Sequence, residues 1–357
     1  MRKMIGVFLA GVLLFSLAAC STQNSETAES TTVPEATAAA TTAELPDDLK
    51  ETIEANEFEG VIYAVKDGET IVSYADGKLE NGKEITVDSP MPIGSVSKQF
   101  CAAAVMLLQE QGKLSVNDTL EKYYPDYAEG GRITIHDLLS MRSGIPEITE
   151  QSGADVTTDH TEEENVTAIK QWVFSQKLSF EPGSSFAYAN INYFLLSDIV
   201  SQVSGQKYID FLRESFFSPL GMTHTGSIVE LPDDPSWAQG IVYKQVDLQP
   251  GLTNGCGDII SNAADMTAWM NALAGGKAVS AESYKAMTTD HSDGGGYGYG
   301  MFTDIADGVG HYGAIGIYSA FDYIDTGKNF TLFAASNTVY PPDVIGVAED
   351  MVSDLTK

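Results

Sequence analysis

Cysteine, histidine and positive charge are all scarce in this chain. Its 357 residues include three cysteines and five histidines. Three thiols cannot form the disulfide framework of a small stapled domain, so the fold must rest on a buried core. Cys101 lies inside an apolar run and reads as a buried free thiol, while a bridge from Cys101 to Cys256 stays open. The sequence has no His-Glu-x-x-His and no Cys-x-x-Cys. With so few histidines, no metal-ligand cluster is visible, and no cofactor is implied. Lysine and arginine number 20 against 50 aspartates and glutamates, a formal charge of -30. A field of that sign repels phosphate backbones, so nucleic acid is excluded as a natural partner.

What is present begins with Arg2 and Lys3, an apolar run from Met4 to Ala19, and Cys20. The run is too short and wrongly flanked for a membrane span, and reads as an export signal. Leu17-Ala18-Ala19-Cys20 resembles a bacterial lipobox. That resemblance implies cleavage before Cys20 and a lipid thioether on it, placing the protein outside the cytoplasm, anchored to the cell membrane. Residues 21–45 are Ser, Thr, Ala and Glu with almost no bulky apolar side chain, the composition of a disordered tether. Residues 46–357, at 43% hydrophobic for the chain as a whole, remain for one folded domain.

Within that domain, Val61 to Val65 and Thr70 to Tyr74 read as strands joined through Asp67-Gly68, a hairpin signal. Helical patterns follow at Ser97 to Gly112, Ile135 to Met141, the segment after Asn190, Tyr208 to Phe217 and Ala263 to Ala274. Residues 153–164 read as an acidic surface loop. Strand signals return in "IGIYSAFDYID" and "NFTLFAASN", and a closing helix spans about Asp343 to Leu355. Strands at both ends with helices between predict an α/β (α+β) fold: an antiparallel sheet built from both chain ends, with an inserted, mostly helical lobe.

Three motifs carry chemistry. Ser95 and Lys98 stand one helical turn apart at the head of an apolar helix, so an amine can reach a hydroxyl that needs a base to become a nucleophile. Taken alone, Ser-x-x-Lys is a solvated lysine near an N-cap serine, and Ser204 to Lys207 repeats the spacing at a helix end. Tyr188-Ala189-Asn190 follows a Pro-Gly turn; in extended geometry Tyr188 and Asn190 face one side. Gly310-His311-Tyr312-Gly313 opens a late strand, where glycine admits a ligand to the backbone beside a titratable ring. Two decoys accompany it. His224-Thr225-Gly226 lies far from the late strands, and Gly308 to Gly313 matches a dinucleotide fingerprint but leads into β-rich sequence.

Together, Ser-x-x-Lys, Tyr-x-Asn and His-x-Gly, with "IGSVSKQF", "ITIHDLLSMRSGI", "EPGSSFAYANINYFLLSDIV" and "GHYGAIG", resemble the serine β-lactamase and penicillin-binding-protein-like superfamily. The likeness falls in its class C-related branch and runs from about Phe58 to Tyr340. The resemblance implies that Ser95 is the acylated nucleophile, Lys98 its proton acceptor and Tyr188 a general acid/base. It gives Asn190 an orienting role and puts His311 and Gly313 at the family's Lys-Thr-Gly strand. The backbone N–H groups of Ser95 and Ala314 would form the oxyanion hole. The implied substrates are D-alanyl peptides, esters or β-lactams. Two departures count against a β-lactamase: His311 replaces a fixed positive charge, and Tyr312 replaces a small hydroxyl and adds bulk beside the cleft. A D-alanyl peptidase or esterase is the favoured reading, with a class C-type β-lactamase and a non-catalytic peptidoglycan- or β-lactam-binding domain as alternatives.

Overall fold

A computed structural model of the chain describes residues 45–79, 82–148, 152–228, 249–338 and 344–356. The export segment, Cys20 and the tether up to residue 44 lie outside the described residues, as does Asp343 at the start of the closing helix. Helix α1 (Asp47–Ala55) precedes the hairpin of β1 (Gly60–Lys66) and β2 (Glu69–Asp76). Asp67 and Gly68 both turn at positive φ, 53° and 81°, the conformation that a two-residue hairpin requires. Strand β3 (Met91–Pro92) leads through a 3₁₀ turn, Gly94–Ser97, into α2 (Lys98–Glu110). The lobe continues with α3 (Ile135–Leu139), α4 (Glu162–Ser175), α5 (Asn190–Ser204) and α6 (Tyr208–Leu212). Strands β4 (Gly226–Ser227) and β5 (Ile259–Ser261) follow, then α7 (Ala263–Ala274) and α8 (Ala281–Met287). The chain ends with β6 (Phe302–Ile305), β7 (Gly308–Ile315), β8 (Tyr318–Asp325), β9 (Phe330–Ser336) and α9 (Val344–Thr356).

The main sheet runs β2-β1-β9-β8-β7-β6 and every pairing in it is antiparallel. The N-terminal hairpin therefore joins the C-terminal strands through β1 and β9, where Val61 pairs with Ala335. Strands β3, β5 and β4 form a second, smaller sheet. Because side chains alternate along a strand, the main sheet feeds two cores. Ile62, Phe321, Tyr323 and Leu332 pack with Leu49 of α1 and with Val347 and Met351 of α9. Ala320, Ile324, Phe333 and Ala335 face the helical lobe. Helix α2 is buried on nearly every side, as an all-round apolar helix must be, and Ala102, Ala103 and Ala104 keep its girth small beside α5.

The antiparallel sheet from both ends and the inserted lobe match the expectation. Corrections concern elements within it. Residues 153–164 do not stay irregular throughout: α4 begins at Glu162, opened by a reciprocal capping box between Thr161 and Glu164. The strand expected from Ile315 onward is two strands, β7 and β8, folded at Gly316, whose φ is +56°. The fingerprint-like glycines lie in β7 and precede no helix, so they lack the helix N-terminus that holds a pyrophosphate.

Candidate active site

Lys98 is the first residue of α2 and is fully buried. The 3₁₀ turn before it places Ser95 one turn away and leaves that serine partly exposed. The Lys98 Nζ lies 2.9 Å from Ser95 Oγ, 2.7 Å from Asn190 Oδ1 and 2.8 Å from the Cys256 carbonyl oxygen. The Tyr188 ring covers the same amine, with its centroid 4.9 Å from Nζ. Ser95, Lys98, Tyr188 and Asn190 thus converge on one nitrogen from α2 and the start of α5. The Tyr-x-Asn geometry is as expected up to Ala189, which is extended with its side chain in the core; Asn190 then starts the helix. Tyr188 stays 38% exposed at the mouth.

Two glycines let β7 touch the nucleophile turn. A Cβ at Gly313 would sit 2.0 Å from the Ile93 carbonyl oxygen and 3.1 Å from Ser95 N; one at Gly94 would sit 2.7 Å from Ala314 N. The amides of Ser95 and Ala314 are therefore close neighbours at the cleft. The cleft encloses about 200 Å³, and its lining includes Ser95, Asn190 and Ala314. A larger hollow, about 660 Å³, lies along α4 and α5. Its serines, Ser197 and Ser201, direct their hydroxyls to carbonyl oxygens of their own helix, so size does not locate the chemistry here.

His311 is placed one layer deeper than a surface donor, only 1% exposed. Its Nε2 is 3.1 Å from the Tyr297 hydroxyl and its Nδ1 2.6 Å from the Tyr312 carbonyl oxygen. Burial, reinforced by nearby Lys98, pushes the imidazole down to about 3, so it is uncharged at neutral pH. Tyr312 does not stand beside the cleft. Strand alternation turns it to the other face, against Phe321 and the α9 core, which corrects the expectation of added bulk at the site. His224 is away from the cleft, with its backbone N–H donated to Asp265. Ser204 and Lys207 flank a left-handed Gly205, the helix end expected of an accidental spacing. Cys101 and Cys256 are both free and buried, and burial raises the Cys256 thiol to about 12.

Several site groups escape the sequence reading. The Cys256 carbonyl is backbone and leaves no side-chain signature. Glu147 accepts N–H bonds from Asn190 and from Ile148, the latter at 2.9 Å; its trace in the sequence is one acidic residue straight after the turn Ser143 to Pro146. Asp322 is wholly buried between α2 and β7. It takes two hydrogen bonds from Gln99 Nε2, at 2.6 and 2.8 Å, and one from the His311 N–H at 2.9 Å.

A buried lysine held against a serine at the head of a core helix, roofed by an antiparallel strand, defines the β-lactamase and transpeptidase class of serine hydrolase. A family model described as beta-lactamase matches residues 45–353, and the chain belongs to that family. Bacillus subtilis PbpX, which is named as a penicillin-binding protein, is 30% identical over 280 residues, covering 75% of this chain and 67% of its own length. Staphylococcus aureus protein flp is 26% identical over 309 residues, 80% of this chain; the chain spans 61% of that protein's length. Among solved structures, D-amino acid amidase from Ochrobactrum anthropi superposes with a TM-score of 0.70 at 21% identity, covering 87% of this chain and all but 1% of its own. An octameric penicillin-binding protein homologue from Pyrococcus abyssi gives 0.69 at 25% identity, over 86% of this chain and 76% of its own.

Proposed function

We propose that the chain hydrolyses amide or ester bonds through an acyl-enzyme on Ser95, as a peptidase or esterase, and works outside the cytoplasm on a lipid anchor at Cys20. The observation that carries this reading is the set of acceptors around Lys98. With the amine neutral, its two N–H bonds go to Asn190 Oδ1 and the Cys256 carbonyl, and its lone pair meets the Ser95 O–H. Fixing both N–H bonds aims the remaining lone pair at the hydroxyl, which is what a general base requires. Ser95 Oγ then attacks the substrate carbonyl carbon while its proton passes to Lys98. The N–H groups of Ser95 and Ala314 receive the oxyanion. The leaving amine or alcohol departs with a proton relayed by Lys98 and Tyr188. Water, deprotonated by the same pair, cleaves the ester and restores Ser95.

A β-lactamase is the weaker reading, because the position that would meet a substrate carboxylate holds a buried, neutral His311. A fluorophosphonate or labelled penicillin is expected to mark Ser95, and Ser95→Ala to lose both labelling and turnover. Hydrolysis that persists in Ser95→Ala overturns the mechanism, and rapid nitrocefin turnover would favour the β-lactamase. For the anchor, detergent phase partitioning of the full chain expressed in a bacterium is expected to place it in the detergent phase. Cys20→Ser should shift it to the aqueous phase; identical partitioning of the two removes the lipid.

A further inference from the structure

Gln99, the residue after Lys98, belongs to a polar thread with Trp269 and Asp322, and all three side chains are fully buried. Trp269 Nε1 donates to Gln99 Oε1 at 3.1 Å, which turns Gln99 Nε2 toward the Asp322 carboxylate, 2.6 and 2.8 Å away. The same carboxylate accepts the His311 N–H at 2.9 Å. A carboxylate in a core costs stability even when hydrogen-bonded, and apolar groups of like size commonly replace buried charges without loss. Burial outweighs the bonds from Gln99 and His311 and pushes this one up to about 7. Its partners point to a role other than stability. Gln99 lies in the first turn of α2, which begins at Lys98, and His311 precedes Ala314 by three residues on β7. Asp322 stands on β8 opposite His311, so it ties the helix of the lysine to the strand whose amide neighbours Ser95.

Resting on the acyl-enzyme reading above, we propose that Asp322 is a positioning residue that holds the oxyanion hole to size through Gln99 and the His311 N–H. It lines no part of the cleft itself. Two kinds of contact set the height of β7 over the nucleophile turn. Gly313 and Gly94 bring backbone against backbone, which stops the strand from moving closer but does nothing to keep it from lifting. The bonds to Asp322 oppose lifting, because moving β7 away from α2 stretches hydrogen bonds to a carboxylate, the stronger kind. With this tie cut, the Ala314 amide can draw back from the oxyanion while Ser95 and Lys98 keep their contact. A purely structural role for Asp322 is the competing account. The two separate by substrate: a loosened core, or a displaced Lys98, slows every ester alike, whereas a widened hole slows only esters that depend on it.

The test compares p-nitrophenyl acetate with its thiono counterpart, whose carbonyl sulfur is larger and a poorer hydrogen-bond acceptor and so draws little from the two amides. Rates are taken per fluorophosphonate-reactive serine, so that unfolded molecules do not enter. The wild type is expected to favour the oxygen ester. Asp322→Ala removes the tie, and Gln99→Met severs it on the α2 side while keeping the volume. Each should lower kcat/KM for the oxygen ester about tenfold or more and leave the thionoester little changed, so that the preference collapses. Asp322→Asn keeps an acceptor oxygen for Gln99 and His311 and should retain most of the preference. A preference unchanged in Asp322→Ala and Gln99→Met overturns the proposal, however far their melting temperatures fall, as does an equal loss for both esters. Labelling and turnover in the wild type with such a result remove only the role of Asp322; absence of both in the wild type removes the acyl-enzyme and this proposal with it.

Discussion

A methyl group at Gly313 has nowhere to go. Its carbon would stand 2.0 Å from the Ile93 carbonyl oxygen, which is backbone and cannot rotate away. Gly313→Ala is therefore expected to push β7 off the nucleophile turn and separate the Ser95 and Ala314 amides. Overpacking of this kind costs about 1–3 kcal/mol, so the variant should fold with a lowered melting temperature. Its fluorophosphonate labelling of Ser95 should slow severalfold or more; unchanged labelling would show that the strand contact does not hold the site. Gly313 was legible in the sequence as a site where a ligand approaches a strand. Its actual neighbour, the Ile93 carbonyl, was not, because the approach is between segments more than two hundred residues apart. The same limit hid the Cys256 carbonyl and Asp322. Ser95, Lys98, Tyr188 and Asn190 were legible because Ser-x-x-Lys, Tyr-x-Asn and His-x-Gly occur together in one chain and in that order, although each motif taken alone has an ordinary structural explanation.

At the scale of elements, periodicity was reliable where a segment meets one environment along its length. Helix α2 is apolar on all faces and α7 on most, and both lie where the pattern puts them. The hairpin β1–β2 announced itself through Asp67-Gly68. Helix α4 was hidden because acidic residues fill its first turn and only Asn165, Ile169 and Val173 are buried along it. Its signal was local: Thr161 and Glu164, three apart, are a capping box. The division of the late β-rich run into β7 and β8 depends on one residue at positive φ, Gly316, in a run where glycine also occurs at 308, 310 and 313. Hydrophobic pattern alone cannot choose among them.

At the scale of the whole molecule, two fully buried groups with opposite shifts pull the response to acid in opposite directions. Burial lowers His311 from 6.5 to about 3 and raises Asp322 from 3.8 to about 7. Stability from the raised Asp322 is full below its unfolded value and is lost as pH rises toward about 7. Stability from the depressed His311 is full above about 6.5 and is lost as pH falls toward about 3. Between about pH 4 and 6.5 the two slopes, each at most about 1.4 kcal/mol per pH unit, oppose one another. Relative to the wild type, His311→Gln should unmask a stability that falls as pH rises through this window, and Asp322→Asn one that rises. Urea melts at a series of pH values read both; parallel curves for the three proteins would refute the pairing. The sheet order has a consequence in time. Strand β1 waits for β9, its neighbour in the sheet, through the synthesis of the entire lobe. The main sheet cannot close before β9 has been made, so β1 stays unpaired on that edge, and the nascent chain open and threadable, throughout the synthesis of the lobe.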